Sequence, residues 1–341
     1  MKTLIVGVGA LGGIIAGRLG VAGCRVWLAT KNAEAAAHLK AHGLRVTGVG
    51  GTSSVSVDDV APLDEYSDVD AFELIVLATK AQAAIESAPR LSLLLAPGGS
   101  LLPIQNGGVS QILATELGRE RVLGGLSNLG GTMTALGNYE QRNAGHLLIG
   151  ELAGGPSERA ERVRAWLGRA LDVRVTPNLS GAVWSKLILN CSTTTIGALA
   201  GATLRQYIAF PAGRALFQRS YDEALSVALA SGVAPERMLV EPVPPGWAGR
   251  SVPSPAYDAW FDGVLAAYGD LKASMLQDIE RGRVTEIDFI NGYVVALARE
   301  LGVPAPANAA IVETIATISR GQASPDRAHL ARILQACAEL T

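Results

Sequence analysis

Lysine 186 is the residue in this chain best placed to do chemistry. It lies in the apolar run Trp184-Ser185-Lys186-Leu187-Ile188-Leu189-Asn190. On a helix Lys186 and Asn190 share a face, with Thr193 and Thr194 one turn further on. Burial among apolar side chains disfavours an ammonium and lowers its pKa, and a lysine poised near neutral pH is a useful general acid. A snorkelling structural lysine is the alternative that this helix alone leaves open. A second chemistry-bearing segment runs over 274–292. Arg281-Gly282-Arg283 reads as a helix stop, and Thr285 with Asp288 resembles a variant capping box that restarts a helix. Glu286 then falls in a first helical turn, where its charge complements the dipole. That capping explains Thr285 and Asp288 better than catalysis does, and a purely dipolar role is the alternative for Glu286.

The N-terminus carries a different signal. Thr3-Leu4-Ile5-Val6 is a short apolar strand, Gly7-Val8-Gly9-Ala10-Leu11-Gly12 follows without a break, and 14–19 reads as helix. A G-x-G-x-x-G hexad alone is weak in a chain holding 39 glycines, but its position between strand and helix makes it a dinucleotide-binding turn. The first glycine allows the tight turn, the second lets a pyrophosphate approach, and the third packs helix on strand. Amides at the helix start then face the phosphates. NAD-preferring folds of this kind carry a carboxylate near the end of the second strand. Here that position reads Ala29-Thr30-Lys31-Asn32, and Thr30 with Lys31 suits a 2′-phosphate, so the expected cofactor is NADPH. An ordinary surface lysine is the alternative for Lys31.

The elements that must position these residues change character along the chain. In the first half, strand-like segments at 3–6, 25–29, 73–78 and 100–104 alternate with helical ones at 14–19, 32–41 and 81–95. An irregular β segment spans 44–57, and further short ones fall near 122–126, 131–136 and 146–149. This rhythm predicts an α/β fold, a Rossmann-like doubly wound parallel sheet. From about 182 the periodicity is helical, over 182–200, 205–231, 256–280, 285–301, 307–320 and 326–340. A proline-rich loop at 241–255 interrupts it. The reading is a dinucleotide-binding domain over 1–177 and an all-α substrate and catalytic domain over 178–341, for a length that suggests roughly two domains.

Composition sets the boundaries. At 49% hydrophobic and 18% charged residues, the chain is globular with sizeable cores. A formal net charge of −2 gives no general attraction to nucleic acid or anionic membranes. Cys24, Cys191 and Cys337 lack metal or CxxC spacing and fit reduced thiols of a cytoplasmic protein, and no metal site is expected. Met1-Lys2 leads directly into the first strand, without a signal peptide. The apolar window 182–204 carries Lys186, Asn190 and Ser192-Thr193-Thr194-Thr195, so it reads as a buried interdomain helix rather than a membrane span.

Taken together, these segments resemble the ketopantoate reductase family, over residues 7 to about 319. The matching motifs are Gly7-Val8-Gly9-Ala10-Leu11-Gly12, Leu77-Ala78-Thr79-Lys80-Ala81-Gln82, Ile104-Gln105-Asn106-Gly107-Gly108, Trp184-Ser185-Lys186 with Asn190, and the stretch from Ser274 to Asn291. The resemblance implies NADPH-dependent reduction of 2-oxopantoate to (R)-pantoate. It places the general acid at Lys186, the active-site glutamate at Glu286, a substrate-binding asparagine at Asn190 and a carboxylate-binding serine at Ser274. Lys80 and Asn106 match positions lining the cofactor and substrate cleft. Where the family commonly has a second asparagine followed by proline, this chain has Thr194-Thr195. Thr194 is therefore the candidate for altered substrate choice, and a D-2-hydroxyacid dehydrogenase acting on another branched or aromatic 2-oxo acid is the alternative. A non-catalytic NADPH-binding regulator is a more distant one. His38, His42, His146 and His329 match none of these positions. The long apolar helices permit a homodimer.

Overall fold

Strands buried on both faces form continuous apolar runs, and those runs build the core of the first unit. The computed structural model describes residues 1–67, 69 and 71–339. The chain divides into two units, Met1–Leu179 and Ser180–Thr341. The first begins β1 (Thr3–Val6), α1 (Ala10–Val21), β2 (Trp27–Thr30), α2 (Ala33–His42), β3 (Leu44–Gly48), β4 (Ser53–Val55) and β5 (Val60–Pro62). It continues β6 (Phe72–Leu77), α3 (Ala81–Leu94), β7 (Leu95–Pro103), α4 (Val109–Leu117), β8 (Gly124–Ser127), β9 (Gly131–Ala135) and β10 (Asn138–Gln141). It ends β11 (Leu147–Gly150), α5 (Glu158–Leu167) and β12 (Val173–Val175).

Five strands form a parallel sheet in the order β5-β2-β1-β6-β7. The order reverses between β1 and β6, the switch point at whose carboxyl side ligands of such sheets bind. The later β segments do not extend this sheet. β4-β3-β10-β9 is a separate mixed sheet, and β12-β11-β8 a third, which meets β7 through a parallel bridge between Leu101 and Val122. Helix α1 packs on the mixed sheet. Its glycines make that approach possible: a Cβ on Gly17 would lie 2.5 Å from Val46 Cγ2, and one on Gly20 2.8 Å from Val55 Cγ2.

The second unit is helical: α6 (Leu179–Ser192, beginning at the boundary), α7 (Thr194–Ala200), α8 (Leu204–Ile208), α9 (Pro211–Ala230), α10 (Pro255–Tyr268), α11 (Ser274–Glu280), α12 (Asn291–Leu301), α13 (Pro306–Ser319) and α14 (Ala328–Ala338). Three of the long helices expected from periodicity are broken, at Thr193, before Pro211 and between Tyr268 and Ser274. Proline explains the second break, since it cannot donate within a helix. The expected capping box at Thr285 is not formed. Thr285 Oγ1 instead pairs with Ser319 Oγ at 3.3 Å, Ile287–Phe289 is a 3-10 turn with Glu286 at its head, and the α-helix restarts at Asn291. Among the described residues no helix is long and apolar enough to cross a membrane, and no cluster of three or more His, Cys, Asp or Glu could hold a metal. All three cysteines are buried free thiols.

A buried polar knot locks the helices. Glu223 on α9 accepts from Ala307 N (3.0 Å), Asn308 N (2.9 Å) and Asn308 Nδ2 (2.9 Å), capping α13 with a carboxylate. Asn291 Nδ2 bonds Cys191 O at 3.3 Å and Asn308 Oδ1 at 2.9 Å, joining α12 to α6 and α13. Glu223→Ala strands three buried donors, so urea denaturation is expected to show a loss of about 3 kcal/mol with an unchanged m-value. The 241–255 loop is anchored nearby, where Asp222 accepts from Trp247 Nε1 (3.1 Å), Ser251 N (2.7 Å) and Ser251 Oγ (2.6 Å).

Candidate active site

The glycine turn sits at the carboxyl end of β1, and each glycine has a separate cause. Gly7 has φ +90°, and a Cβ there would lie 2.8 Å from the Thr79 amide nitrogen. A Cβ on Gly12 would lie 2.0 Å from Gly7 O, so the turn closes on the helix only without a side chain. Gly9 differs. Its φ of −80° and ψ of −159° suit any residue, and a Cβ there would meet nothing within 4 Å. The protein itself does not require a glycine at this position, and the space beside it is open to a ligand approaching the backbone. Gly9 is also the N-cap of α1 and provides no side-chain cap, so the amides opening at Ala10 and Leu11 remain for an anion. The turn thus fits a dinucleotide diphosphate.

Beside the turn, a cavity of about 340 Å³ is lined by Gly7, Thr30, Lys31, Thr79, Glu86 and Arg90 among others. Lys31 is exposed. Thr30 is buried and spends its hydroxyl proton on Asn32 O at 2.9 Å, while Asn32 caps α2 through Ala35 N. Arg90, on α3, adds a second cation that the sequence reading missed. Its guanidinium donates to the main-chain carbonyls of Asp64 and Tyr66. Nothing in the spacing around Arg90 marks it, because helix α3 brings it to the cavity from sixty residues beyond Thr30.

Lys80 and Asn106 follow the neighbouring strands β6 and β7. Lys80 is the exposed N-cap of α3, and Asn106 is half-buried. Gln105, also missed, ties the two loops: its Nε2 donates to Leu77 O (2.9 Å) and Thr79 O (3.0 Å). The buried Gln105 Oε1 and Thr79 Oγ1 have no partner among the described residues, a polar lining fit for a ligand rich in hydroxyl and amide groups.

In the second unit, Lys186 is half-buried on α6. Burial lowers its pKa from 10.5 to about 8, against the opposing pull of the Glu286 charge. Asn190 stands one turn further along. The hydroxyl residues that follow satisfy themselves inside the apolar core by bonding back to the helix: Ser192 Oγ to Ile188 O (2.9 Å), Thr193 Oγ1 to Leu189 O (2.7 Å) and Thr195 Oγ1 to Cys191 O (2.5 Å). Thr194 does otherwise. Its Oγ1 donates to Asn190 Oδ1 at 3.3 Å, which turns the amide Nδ2 of Asn190 toward other acceptors. Ser274 opens α11 and is exposed, and α11 packs on α7, the helix that Thr194 begins. Helix α12, which follows Glu286, is held to α6 by the Trp184–Tyr293 ring pair, with centroids 5.9 Å apart, and by the Asn291–Cys191 bond. The fold therefore groups a lysine of lowered pKa, a carboxylate and an oriented amide donor. That set can protonate a developing alkoxide and hold a carboxylate.

Residues 3–154 match the family model described as ketopantoate reductase PanE/ApbA, and residues 178–319 match its C-terminal model. The chain is 27% identical to a 2-dehydropantoate 2-reductase of Halobacterium salinarum over 94% of its length and 98% of that protein. It is 29% identical to one of Pyrococcus abyssi, covering 90% of this chain and 94% of that one. Among solved structures, a PanE/ApbA family ketopantoate reductase from Ralstonia eutropha superposes with a TM-score of 0.78 at 24% identity, over 94% of this chain and 99% of that one. D-mandelate dehydrogenase in complex with NADH and anilino(oxo)acetate shares the fold, with a TM-score of 0.79 at 19% identity over 94% and 99% of the two chains. With both family models matched in order across most of its length, the chain belongs to the ketopantoate reductase family of oxidoreductases.

Proposed function

We propose that the protein reduces 2-oxopantoate to (R)-pantoate with NADPH. The observation that carries the reading is Lys186, brought to a pKa of about 8 beside Glu286 on the helix face that presents Asn190. A bound nicotinamide would supply the hydride to the ketone carbon. Charge then grows on the ketone oxygen, and the Lys186 ammonium stabilises it and delivers the proton. Glu286 keeps Lys186 protonated or accepts a substrate hydroxyl. The Asn190 amide and the Ser274 hydroxyl act as neutral donors to the carboxylate. Lys31 and Arg90, lining one cavity with Thr30, support a 2′-phosphate and hence NADPH over NADH. Thr194 in place of an amide favours keeping a second reading, a D-2-hydroxyacid dehydrogenase for another branched or aromatic 2-oxo acid.

Comparing kcat/KM for 2-oxopantoate, 2-oxoisovalerate and phenylglyoxylate, each with NADPH and NADH, separates these. 2-Oxoisovalerate lacks the hydroxymethyl group of 2-oxopantoate, and a site built to bond the hydroxyl of that group discriminates by about 10⁴-fold. Preference for 2-oxopantoate with NADPH is the expected result; a preference for either unhydroxylated acid establishes the second reading instead.

A further inference from the structure

Tyr139 lies on β10, in the mixed sheet, far in sequence from the glycine turn. Its ring is fully buried at 1% exposure, and its Oη donates a 3.0 Å hydrogen bond to Val8 O, across 131 residues. Val8 stands between the first two glycines of the turn. The contact is built from both sides, since a Cβ on Gly13 would lie 2.2 Å from Tyr139 Cζ. The residue after the hexad must lack a side chain for the ring to reach through. Burial pushes Tyr139 up to about 12, so its hydroxyl remains a donor throughout the neutral range.

A trans peptide points its carbonyl and the following N–H in opposite directions. With Val8 O held on the Tyr139 hydroxyl, the Gly9 N–H is turned the other way. Gly9 is also the position of the turn where a Cβ would meet nothing within 4 Å. A reversed peptide would present the carbonyl dipole of Val8 where an anion must lie. We propose that Tyr139 is a positioning residue for the dinucleotide: its hydroxyl locks the Val8–Gly9 peptide so that an N–H, not a carbonyl, meets the diphosphate. The mixed sheet thus does more than cover α1; it sets the orientation of the phosphate-binding backbone. This inference rests on the dinucleotide reading of the turn and is independent of the choice between NADPH and NADH.

Tyr139→Phe keeps the ring over Gly13 and removes only the hydroxyl. The test is the dissociation constant of the wild type and the variant for NADPH and for NADH, by nucleotide fluorescence titration, alongside the thermal midpoint and kcat at saturating cofactor. The expected result is a rise of about tenfold in both dissociation constants, by the same factor for each, with kcat at saturation unchanged. A lowered thermal midpoint with unaltered dissociation constants makes Tyr139 a packing residue and overturns the proposal. A wild type that binds NADH but not NADPH removes the cofactor preference proposed above, while an equal loss of NADH affinity in Tyr139→Phe still supports the role of Tyr139. A wild type that binds neither overturns both.

Discussion

Lys186→Met is expected to remove reduction and spare the fold. Methionine preserves the length and apolar stem of the side chain and deletes only the ammonium, so kcat should fall by about 10²- to 10⁴-fold, the span of a lost general acid. Stability should not fall with it. Lys186 moves from 10.5 to about 8 on folding. Between those values the unfolded chain binds a proton that the folded chain has released, so this group makes stability rise with pH across the window. Below about pH 8 both states are charged and the desolvation penalty is fully present. Replacing the ammonium removes that penalty, and the thermal midpoint at pH 7 should be unchanged or raised. The same pKa sets a pH profile. The acid must be protonated to act, so wild-type reduction should decline as pH rises through about 8. Because the Glu286 charge raises the lysine, Glu286→Gln should shift that decline to lower pH. Activity retained in Lys186→Met would remove the residue from the mechanism.

The second large effect concerns Gly9. Gly9→Ala should raise the dissociation constant for the dinucleotide by about 10²-fold, since a displacement of an ångström at the diphosphate has consequences of that size. The fold should be untouched or slightly stabilised, because the backbone there is extended, with φ at −80°, and alanine narrows the unfolded ensemble. Gly12→Ala is the contrasting case. Its Cβ would sit 2.0 Å from Gly7 O, so that variant should fail to fold rather than merely fail to bind. Nucleotide titration paired with thermal unfolding distinguishes the two outcomes.

Why these positions could be read from sequence, and others could not, follows from the range of the forces involved. β1 and β6 are buried on both faces, so continuous apolar runs announce them and their parallel pairing. β3, β4, β9 and β10 are short, and residues on them are partly exposed. The pairing of β3 with β10 joins residues some ninety positions apart, as in Asn138 opposite Arg45, and no local pattern encodes it. Helical periodicity located the second unit but ran through the breaks. Pro211 was a visible signal for one of them. The break at Thr193 has no such mark. Thr285 carried the local chemistry of a cap, yet a tertiary partner, Ser319, took its hydroxyl.

The candidate site divides the same way. Lys186 and Asn190 share a helix, so their spacing alone placed them on one face. The glycine turn is likewise local. Arg90, Gln105 and Tyr139 act through bonds to distant backbone carbonyls, and their types are common enough to pass unnoticed. The bond from the Thr194 hydroxyl to Asn190 shows only in the fold.

The most direct test of the account is to incubate the protein with NADPH and 2-oxopantoate, follow nucleotide oxidation, and resolve the product on a chiral column. The prediction is one (R)-pantoate formed for each NADPH oxidised, with no (S) enantiomer. Absence of oxidation with 2-oxopantoate under conditions in which another 2-oxo acid is reduced, or oxidation that yields no pantoate, would contradict it.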